Sequence, residues 1–270
     1  VAFLQYSVHR AFPQTSGTIA VVGITDNVEV IRDTWGIPHI YASTMNDLLF
    51  AQGYVHAQDR FFQMDFWRHI SYGELASLFG DDQLKTDLFL RDLGWGRLAA
   101  AQYEAETPEN RALLDAYAAG VNAYLDSQSP SDLSFEYSVL ELLNHGYTPA
   151  PWTGAQSLAW GKVMAWDLGG NQSAEIERAM DLGHLSPDRV DQLFPAYPGD
   201  RNPYIVTAEG ANQPAERVAL DVPDGATNAL ASAAAAIAAL NEITLGGEET
   251  GIGSNSWAVS GQHTPTGMPY

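Results

Sequence analysis

The alternation of apolar and polar residues predicts a β-hairpin near the start of the chain. Residues Val28–Arg32 (VEVIR) alternate and are rich in β-branched side chains, and Pro38–Ala42 (PHIYA) follows after DTWGI. The Trp35-Gly36 pair between the two runs is typical of a turn. We therefore expect two short antiparallel strands here.

A long apolar stretch over about 46–72 predicts the first major helix. Ser43 or Thr44 stands where a helix cap belongs, and Gly73 interrupts the pattern at its far end. A short continuation, ELASLFG, stops at Gly80. Three further helices are predicted where a capping residue precedes a periodic apolar run: after Thr107-Pro108, over about 154–166 after Thr153, and from Ser186-Pro187 to Leu193.

The character of the sequence changes after the Pro-rich run FPAYPGDRNPYIV. Residues 206–253 are rich in alanine, contain no aromatic residue and hold few large apolar side chains. Alanine favours a helix, but such a helix offers little to pack. We interpret 206–253 as a linker or removable spacer; the alternative is an ordinary surface helix followed by a loop.

Composition indicates a folded domain with an acidic surface. The chain has 270 residues, 46% of them hydrophobic, and its net charge is -20 from 13 Lys+Arg against 33 Asp+Glu. Such a surface repels phosphate backbones, so we expect no nucleic-acid partner. It suits a soluble secreted protein or one that holds calcium. The absence of cysteine in the sequence excludes thiolate metal sites, cysteine nucleophiles and disulfides.

Several familiar catalytic motifs are missing from the sequence. It contains no G-x-S-x-G, no H-E-x-x-H and no P-loop, and its 7 histidines show no zinc spacing. His56 and His69 lie in the long apolar helix, where we expect them to be buried and hydrogen-bonded rather than bound to metal. A conventional Ser-His-Asp triad cannot be assembled by spacing.

The Gly253-Ser254 bond offers another chemistry. A glycine carbonyl is unhindered, so the Ser254 hydroxyl can attack it, and hydrolysis of the resulting ester leaves Ser254 as a new first residue. Its free α-amine, with a pKa of about 7.7–8, can then act as the base for its own hydroxyl. The continuation SNSWAVSG is prone to form a strand. On these letters alone, an ordinary turn serine is the alternative.

Several motifs in order resemble those of the penicillin acylase family of N-terminal-nucleophile hydrolases. Ser254-Asn255-Ser256-Trp257 after Gly253 matches the family's β-chain start, Ser-Asn-x-Trp. The run after Arg32-Asp33 matches the element "RD, G, P-H-I, A". A second element, "GY-HAQDR, QMD, R", is matched by Gly53, Tyr54, His56–Arg60, Gln63–Asp65 and Arg68.

The resemblance implies a role for particular residues. Ser254 would be the nucleophile and Gly253 the other half of the processing site, while the oxyanion groups of the family lie further along than Tyr270. Gln262 and His263 fall in a family hairpin turn and receive no catalytic role. Asp59-Arg60 is expected to form a structural ion pair or a helix-capping contact rather than to act in catalysis.

The stretch MAWDLGGNQSAEIERAM resembles the family segment that lines the acyl pocket and then gives a calcium ligand. Met164, Trp166 and Leu168 are therefore candidates for the pocket wall, with plain core packing as the alternative for each. Glu175 best matches the calcium-binding glutamate, Glu177 is the fallback, and a solvated or salt-bridged helix glutamate is the alternative.

The resemblance implies an α+β fold, the four-layer αββα sandwich, represented here mainly by the helical α-chain and the first β-chain strand. We expect four segments: 1–27 as an export or anchor tail and spacer, 28–205 as the α-chain, 206–253 as the spacer, and 254–270 as the start of a truncated β-chain.

The expected function is hydrolysis of a linear N-acyl amide, such as a penicillin, an N-acyl-homoserine lactone or an acylated peptide, through an acyl-Ser254 ester. The expected partners are this small-molecule substrate and the protein's own β-chain, with structural Ca²⁺ and no organic cofactor. We expect a bacterial periplasmic or extracellular location, with a membrane contact only through a segment ahead of Val1. A non-catalytic binding or scaffold protein that keeps the fold is the alternative.

Overall fold

The structure is a computed structural model that describes residues 2–169, 172–195, 198, 201, 226–243 and 259–268. Within these ranges the chain is mostly helical, with one two-stranded antiparallel sheet. The helices are α1 (Ala2–Arg10), α2 (Met45–Tyr72), α3 (Ala76–Phe79), α4 (Leu84–Leu93), α5 (Trp95–Ala105), α6 (Pro108–Asp126), α7 (Pro130–Leu133), α8 (Phe135–Leu143), α9 (Gly154–Asp167), α10 (Gln172–Leu182), α11 (Pro187–Leu193) and α12 (Ala226–Ile243).

The predicted hairpin is confirmed. Strand β1 (Glu29–Arg32) pairs with β2 (Pro38–Tyr41), and Val30 lies opposite Ile40. Gly36 in the connection adopts φ 79°, a conformation that glycine reaches without steric cost. Both strands carry exposed side chains, so the sheet adds little to the core and depends on contacts made by individual residues.

The long helix α2 is also confirmed, with Thr44 rather than Ser43 as its cap. The Thr44 hydroxyl accepts a hydrogen bond from the Asp47 amide at 3.1 Å. The buried Asp47 carboxylate accepts hydrogen bonds from the Thr44 hydroxyl (2.9 Å) and from the amide (2.8 Å) and hydroxyl (2.6 Å) of Thr25. The helix changes direction at Arg60, whose backbone is not helical (φ −145°, ψ 22°), and it ends at Gly73 in the left-handed region (φ 62°).

Helices α2 and α6 touch through their backbones. A Cβ atom added to Gly120 of α6 would lie 1.8 Å from the Phe50 carbonyl oxygen, and one added to Gly53 of α2 would lie 2.1 Å from the Tyr117 carbonyl oxygen. Neither distance leaves room for a methyl group. The two glycines therefore allow the two main helices of the fold to pack at a separation that alanine would prevent.

Two apolar clusters form the core. The first lies around the α2–α6 contact and contains Ala57, Phe61, Leu78, Ala118, Val121, Tyr124, Leu133, Tyr137, Leu140 and Trp152. The second lies at the other end of α2 and contains Trp67, Ile70, Leu75, Leu90, Trp95, Val163 and Leu240. Helix α9, which begins where predicted, reaches the second cluster through Val163.

One expectation about the Ala-rich segment is wrong. Of 206–253, the structure describes 226–243, and this part forms a helix as its alanine content favours. It does pack: Ile237 is 3% exposed and Leu240 is fully buried, because two large apolar residues three positions apart share one helix face. The interpretation of 206–253 as a spacer stays a prediction.

Two hydrogen bonds tie the beginning of the chain to the helical body. The Arg10 side chain donates to Asp132 Oδ1 at 2.6 Å, which ties the end of α1 to α7. Further along, the Gln58 amide donates to the Gln14 carbonyl oxygen at 2.9 Å.

Among the residues that the structure describes, no helix combines the length and apolar character needed to cross a bilayer.

The α2–α6 contact makes a stability prediction. We expect Gly120→Ala to lower the free energy of unfolding by about 3 kcal/mol, since the new methyl group must push two packed backbones apart. Gly161→Ala is the matched control: Gly161 also lies inside a helix, and a Cβ added there would meet no neighbouring group within 4 Å. The control should be neutral or stabilising by up to about 1 kcal/mol. Urea unfolding of both variants measures the difference, and equal effects would contradict the packing argument.

Candidate functional site

One arginine joins the hairpin to α2. Arg32, at the end of β1, directs its two terminal nitrogens to the two carboxylate oxygens of Asp59, at 2.8 and 2.9 Å. One of these nitrogens also donates to Gln58 Oε1 at 2.8 Å. The guanidinium fork matches a carboxylate, so the pair fixes both direction and distance. The hairpin is thus held at the point where α2 changes direction.

The aspartate that follows shapes the hairpin turn. Asp33 Oδ1 accepts hydrogen bonds from the amides of Trp35 (2.8 Å) and Ile37 (2.9 Å), and Oδ2 lies 3.4 Å from His39 Nε2. The hydrogen bond from the Ile37 amide is the main reason that the pKa of Asp33 is lowered. Asp33 therefore organises the backbone of the hairpin turn.

A buried charged cluster lies in the second half of α2. Asp65 is 1% exposed and pairs with Arg68 one helical turn later. Its Oδ2 accepts hydrogen bonds from the hydroxyls of Tyr137 (2.7 Å) and Tyr147 (2.8 Å). His69 lies beside it, with Nδ1 2.7 Å from the Asp65 carbonyl oxygen and Nε2 3.4 Å from the Tyr147 hydroxyl. We call these five residues the Asp65 cluster.

Burial and hydrogen bonding oppose each other at Asp65. Burial would raise the pKa of its carboxyl, but the hydrogen bond from His69 and the charge of Arg68 outweigh it and bring the pKa down to about 2. Burial, followed by the nearby Asp65 charge, raises the pKa of both Tyr137 and Tyr147. The cluster is therefore an ionised carboxylate held by neutral phenols and a cation, which is a rigid structural arrangement.

Arg68 extends this cluster to the segment before α9. Arg68 Nη1 donates to the Ala150 carbonyl oxygen at 2.8 Å, while Nη2 bonds to Asp65. The Arg68 guanidinium lies over the Trp152 ring, 5.5 Å from the ring centre. Asn122 of α6 holds the same tryptophan through both backbone groups, at 2.6 and 2.9 Å. The start of α9 is thereby fixed against α2 and α6.

The three residues expected to line an acyl pocket lie on or next to α9 and do not share one surface. The Trp166 ring packs inward against Trp95, with 5.5 Å between ring centres, and its indole N–H donates to Gln172. Met164 is half-buried, whereas Leu168, just beyond the helix, is 76% exposed. The contacts of Trp166 are those of core packing, the alternative given for it above. Met164 and Leu168 remain candidates for the wall of an acyl pocket that other parts of the protein would complete.

A cleft of about 420 Å³ lies along α2 beside the change of direction. Its walls combine aromatic rings (Phe62, Phe66 and Trp67) with polar groups from α2 and from the start of α8. It does not contain Met164, Trp166 or Leu168. The predicted acyl-pocket residues and this cleft are therefore separate features.

The whole chain beyond the first residues matches a known family. The sequence profile described as "Penicillin amidase" matches residues 27–270. The chain belongs to the penicillin amidase family. Among curated relatives, "Penicillin acylase 2 proenzyme" of Pseudomonas sp. (strain SE83) is 34% identical over 97% of this chain and 32% of its own length. "Acyl-homoserine lactone acylase QuiP" of Pseudomonas aeruginosa is 31% identical over 95% of this chain and 28% of its own length.

A solved structure supports the same assignment. The thermostable penicillin G acylase from Alcaligenes faecalis is 28% identical, with a TM-score of 0.50, over 72% of this chain and 100% of the matched chain. The expected fold of the N-terminal-nucleophile hydrolases is thereby confirmed, and the described residues form its helical part with one small sheet. The chain spans about a third of the length of the curated relatives it matches.

The penicillin amidase motifs in this chain have structural roles. Arg32 of the first motif forms hydrogen bonds to Gln58 and Asp59 of the second motif. Asp65 and Arg68 of the second motif form the buried ion pair. The expectation of an ion pair at Asp59 is met with a different partner: Arg32, from the preceding hairpin, in place of the adjacent Arg60. Both carboxylate oxygens of Asp59 accept from Arg32, so the carboxylate is already fully paired with the hairpin arginine.

The two predicted histidine environments differ. His69 is buried within the Asp65 cluster, as expected. His56 is hydrogen-bonded, with Nδ1 3.0 Å from the Tyr117 hydroxyl, but it is exposed, so the expectation of burial is wrong there. It lies on the solvent side of α2, between the buried positions Val55 and Ala57.

The predicted nucleophile lies outside the described residues. Gly253 and Ser254 fall between the described ranges 226–243 and 259–268, as does most of the expected first β-chain strand. Gln262 and His263 are described; they form an exposed 3₁₀ turn, Gly261–His263. Their assignment to a turn fits this position.

The described residues do not by themselves form a calcium site. Glu175 is exposed in the first turn of α10, and Glu177 is exposed two residues later. Ca²⁺ takes six to eight oxygen ligands. No group of three or more His, Cys, Asp or Glu residues suited to a metal ion occurs within the described part of the chain. Calcium binding by Glu175 therefore stays a prediction that requires ligands from other parts of the protein.

Sequence patterns gave no indication of the two tyrosines in the Asp65 cluster. Tyr137 and Tyr147 lie 72 and 82 residues beyond Asp65, and neither belongs to the motifs quoted above. The sequence signal for a buried charged cluster was the helical spacing of Asp65, Arg68 and His69 within an apolar helix. A buried charge requires partners, but spacing cannot say which distant side chains supply them.

The buried pair predicts a large effect of one substitution. We expect Asp65→Asn to lower the free energy of unfolding by about 3–5 kcal/mol, because Arg68 would be left buried without a counter-charge. Asp82→Asn, at an exposed aspartate, is the matched control and should stay within about 0.5 kcal/mol. Urea unfolding at pH 7 measures both variants. A small loss for Asp65→Asn would show that the cluster is not needed for stability.

The lowered pKa of Asp65 also predicts a pH dependence. Its folded-state pKa of about 2 lies below the ordinary value of 3.8, so ionisation stabilises the fold above pH 4. This contribution, about 2 kcal/mol, is lost as the pH falls from 4 to 2. The stability gap between wild type and Asp65→Asn should therefore narrow over that range. An unchanged gap for Asp65→Asn down to pH 2 would contradict the assignment.

Proposed function

We propose that the complete protein is an amidohydrolase that cleaves a linear N-acyl amide with Ser254 as an N-terminal nucleophile. The observation that carries this proposal is the family match over residues 27–270, whose bounds include the helical part and Gly253-Ser254. The sequence at that point, Gly-Ser-Asn-Ser-Trp, supplies the residue types that the chemistry needs.

Two bond changes make up the proposed activation. The Ser254 hydroxyl attacks the Gly253 carbonyl carbon, the amide nitrogen leaves with a proton, and water then hydrolyses the ester. The products are a chain ending at Gly253 and a chain that begins with the free amine of Ser254. Two comparisons support such a division: one relative is named a proenzyme, and one chain of a solved penicillin G acylase is matched in full by 72% of this chain.

The activated serine then acts on substrate by the same chemistry. The α-amine takes the hydroxyl proton as Oγ attacks the acyl carbon, and it returns a proton to the leaving amine. Water hydrolyses the acyl-Ser254 ester and releases the acid. Because an α-amine has an ordinary pKa near 7.7–8, this base is available close to neutral pH without a histidine.

The relatives suggest the class of substrate. Their names specify penicillin and acyl-homoserine lactones, and both compounds join an acyl group to an amine through a linear amide. We propose this class for the present protein, with acylated peptides included. Met164 and Leu168 are the proposed contributions of α9 to the acyl pocket, while Trp166 packs against Trp95.

Further features of the complete protein are proposed on the resemblance. They are a partner chain that begins at Ser254, structural Ca²⁺ with Glu175 as one ligand, and a periplasmic or extracellular location. The acidic net charge of -20 suits both calcium binding and a periplasmic or extracellular location.

The proposed cut can be tested directly. We expect mass spectrometry of the complete wild-type protein to show two chains, the second beginning at Ser254, and Ser254→Ala to remain one chain because its methyl group cannot attack Gly253. Ser256→Ala, two residues away, is the matched control and should be cut as wild type is. Cutting of Ser254→Ala at the wild-type rate would exclude the mechanism.

The proposed activity needs a separate measurement. The cut protein should release acid from at least one of penicillin G, an N-acyl-homoserine lactone and an N-acyl peptide, and the uncut Ser254→Ala variant should release none. A correctly cut protein that releases no acid from this panel would instead indicate a binding or scaffold protein.

A further inference from the structure

The cleft along α2 has its opening where the helix changes direction. A straight helix has a convex surface, but the backbone of Arg60 departs from the helical path (φ −145°, ψ 22°). Leu133 and Ser134, where α7 is followed by α8, supply part of the wall that does not come from α2. The volume of about 420 Å³ is that of a small-molecule site. We call this feature the α2 cleft.

The aromatic side chains of the α2 cleft are held in place by their neighbours. Phe62 and Phe66 are half-buried, and both line the cleft. The Phe62 ring packs edge-on against Tyr137, with 5.3 Å between ring centres, and the Phe66 ring lies edge-on to Trp67 at 6.1 Å. Their positions are thus set before any ligand arrives, and their open faces suit an aromatic ring.

Three side chains of the α2 cleft can donate hydrogen bonds and form none within the described part of the chain. They are the guanidinium of Arg60, the indole N–H of Trp67 and the hydroxyl of Ser134. Trp67 is only 8% exposed, and Ser134 Oγ is buried. Buried polar groups are normally hydrogen-bonded, so these donors indicate an acceptor that the described residues do not supply.

The charges around the α2 cleft favour an anionic acceptor. Of the two carboxylates in its lining, Asp59 is already bound by both terminal nitrogens of Arg32, at 2.8 and 2.9 Å. The other, Glu136, is exposed on the first turn of α8, where water and salt screen it. Arg60 forms no ion pair with any described residue. A guanidinium fork with two neutral donors matches the two oxygens of a carboxylate.

We propose that the α2 cleft binds a small monocarboxylate that carries an aromatic group. The carboxylate accepts hydrogen bonds from Arg60, Trp67 and Ser134, and the aromatic ring lies against Phe62 and Phe66. The site contains neither the predicted nucleophile nor the predicted acyl-pocket residues, so the inference does not rest on the proposed function.

Calorimetry tests the charge requirement. The probe is 3-phenylpropionate, titrated into the complete protein, and the neutral 3-phenyl-1-propanol should bind at least about tenfold more weakly. Arg60→Gln should weaken binding of the acid at least about tenfold, because a charge-assisted hydrogen bond is lost. Arg97→Gln is the matched control, since Arg97 is exposed on α5 and does not line the cleft. Equal affinities for acid and alcohol, or equal losses in the two variants, would overturn the proposal.

A second variant covers the case in which Arg60→Gln disturbs the change of direction in α2. Gln63 is exposed and lines the α2 cleft, so Gln63→Glu adds a like charge without altering the core. It should weaken binding of the acid about threefold or more and leave binding of the alcohol unchanged. Gln192→Glu, at an exposed glutamine of α11 away from the cleft, is the matched control. The proposal is wrong if Gln63→Glu binds the acid as wild type does.

Fluorine NMR locates the bound acid. The complete protein is labelled with 5-fluorotryptophan, and the resonance that disappears in Trp67→Phe is assigned to Trp67. Addition of 3-phenylpropionate should shift this resonance with the affinity found by calorimetry. An unshifted Trp67 resonance would overturn the proposal, as it would if another part of the complete protein filled the cleft.

One further comparison separates this site from the proposed chemistry. Ser254→Ala should bind 3-phenylpropionate with the wild-type affinity and the same Trp67 shift, whether or not the chain is cut. Binding that is lost in Ser254→Ala and kept in Arg60→Gln would place the acid near the predicted nucleophile and overturn the α2 cleft as its site. Failure of the Ser254 chemistry alone leaves the calorimetric and NMR results unchanged, so the two proposals fail separately.

Discussion

Helices α2 and α6 meet where neither has a side chain, and most of the described structure is arranged around that contact. Gly53 and Gly120 bring two backbones together at distances that any Cβ atom would prevent. The first core cluster lies around this contact and includes the aromatic residues Phe61, Tyr124, Tyr137 and Trp152. Because interiors are close-packed and respond stiffly to added volume, this separation is a fixed dimension of the fold.

The same long helix then holds a charge inside the protein. Asp65 is kept ionised by a cation and hydrogen bonds drawn from residues well separated in sequence, so α2, the segment after α8 and the start of α9 are linked through one carboxylate. Such a pair contributes little net stability compared with apolar packing, but losing one partner is costly. The motif residues that define the family on this helix therefore set the relative positions of helices, leaving the proposed chemistry to the region around Ser254.

Local patterns predicted the elements well, and distant pairings poorly. The hairpin, the cap at Thr44, the stop at Gly73 and the helix after Thr107-Pro108 follow from residues within a few positions of each boundary. The Arg32–Asp59 pair and the tyrosines around Asp65 depend on which elements meet in space, and spacing along the chain carries no such information. The expectation that the Ala-rich segment has little to pack failed for a related reason, since Leu240 is buried by apolar residues that are distant from it in sequence. The prediction of Ser254 as nucleophile rests on motif resemblance, and Ser254 lies outside the described residues.

The buried position of Leu240 bears on how the protein acquires its final state. A chain that folds with α12 in place reaches its minimum with the second cluster filled. If that segment is later cut away, the remaining molecule has a structure that it did not reach by folding alone. Its persistence would then be governed by the rate at which it unfolds and not by a reversible equilibrium. Denaturation of such a protein would be irreversible, because the segment that contains α12 would assist only the first folding of the chain.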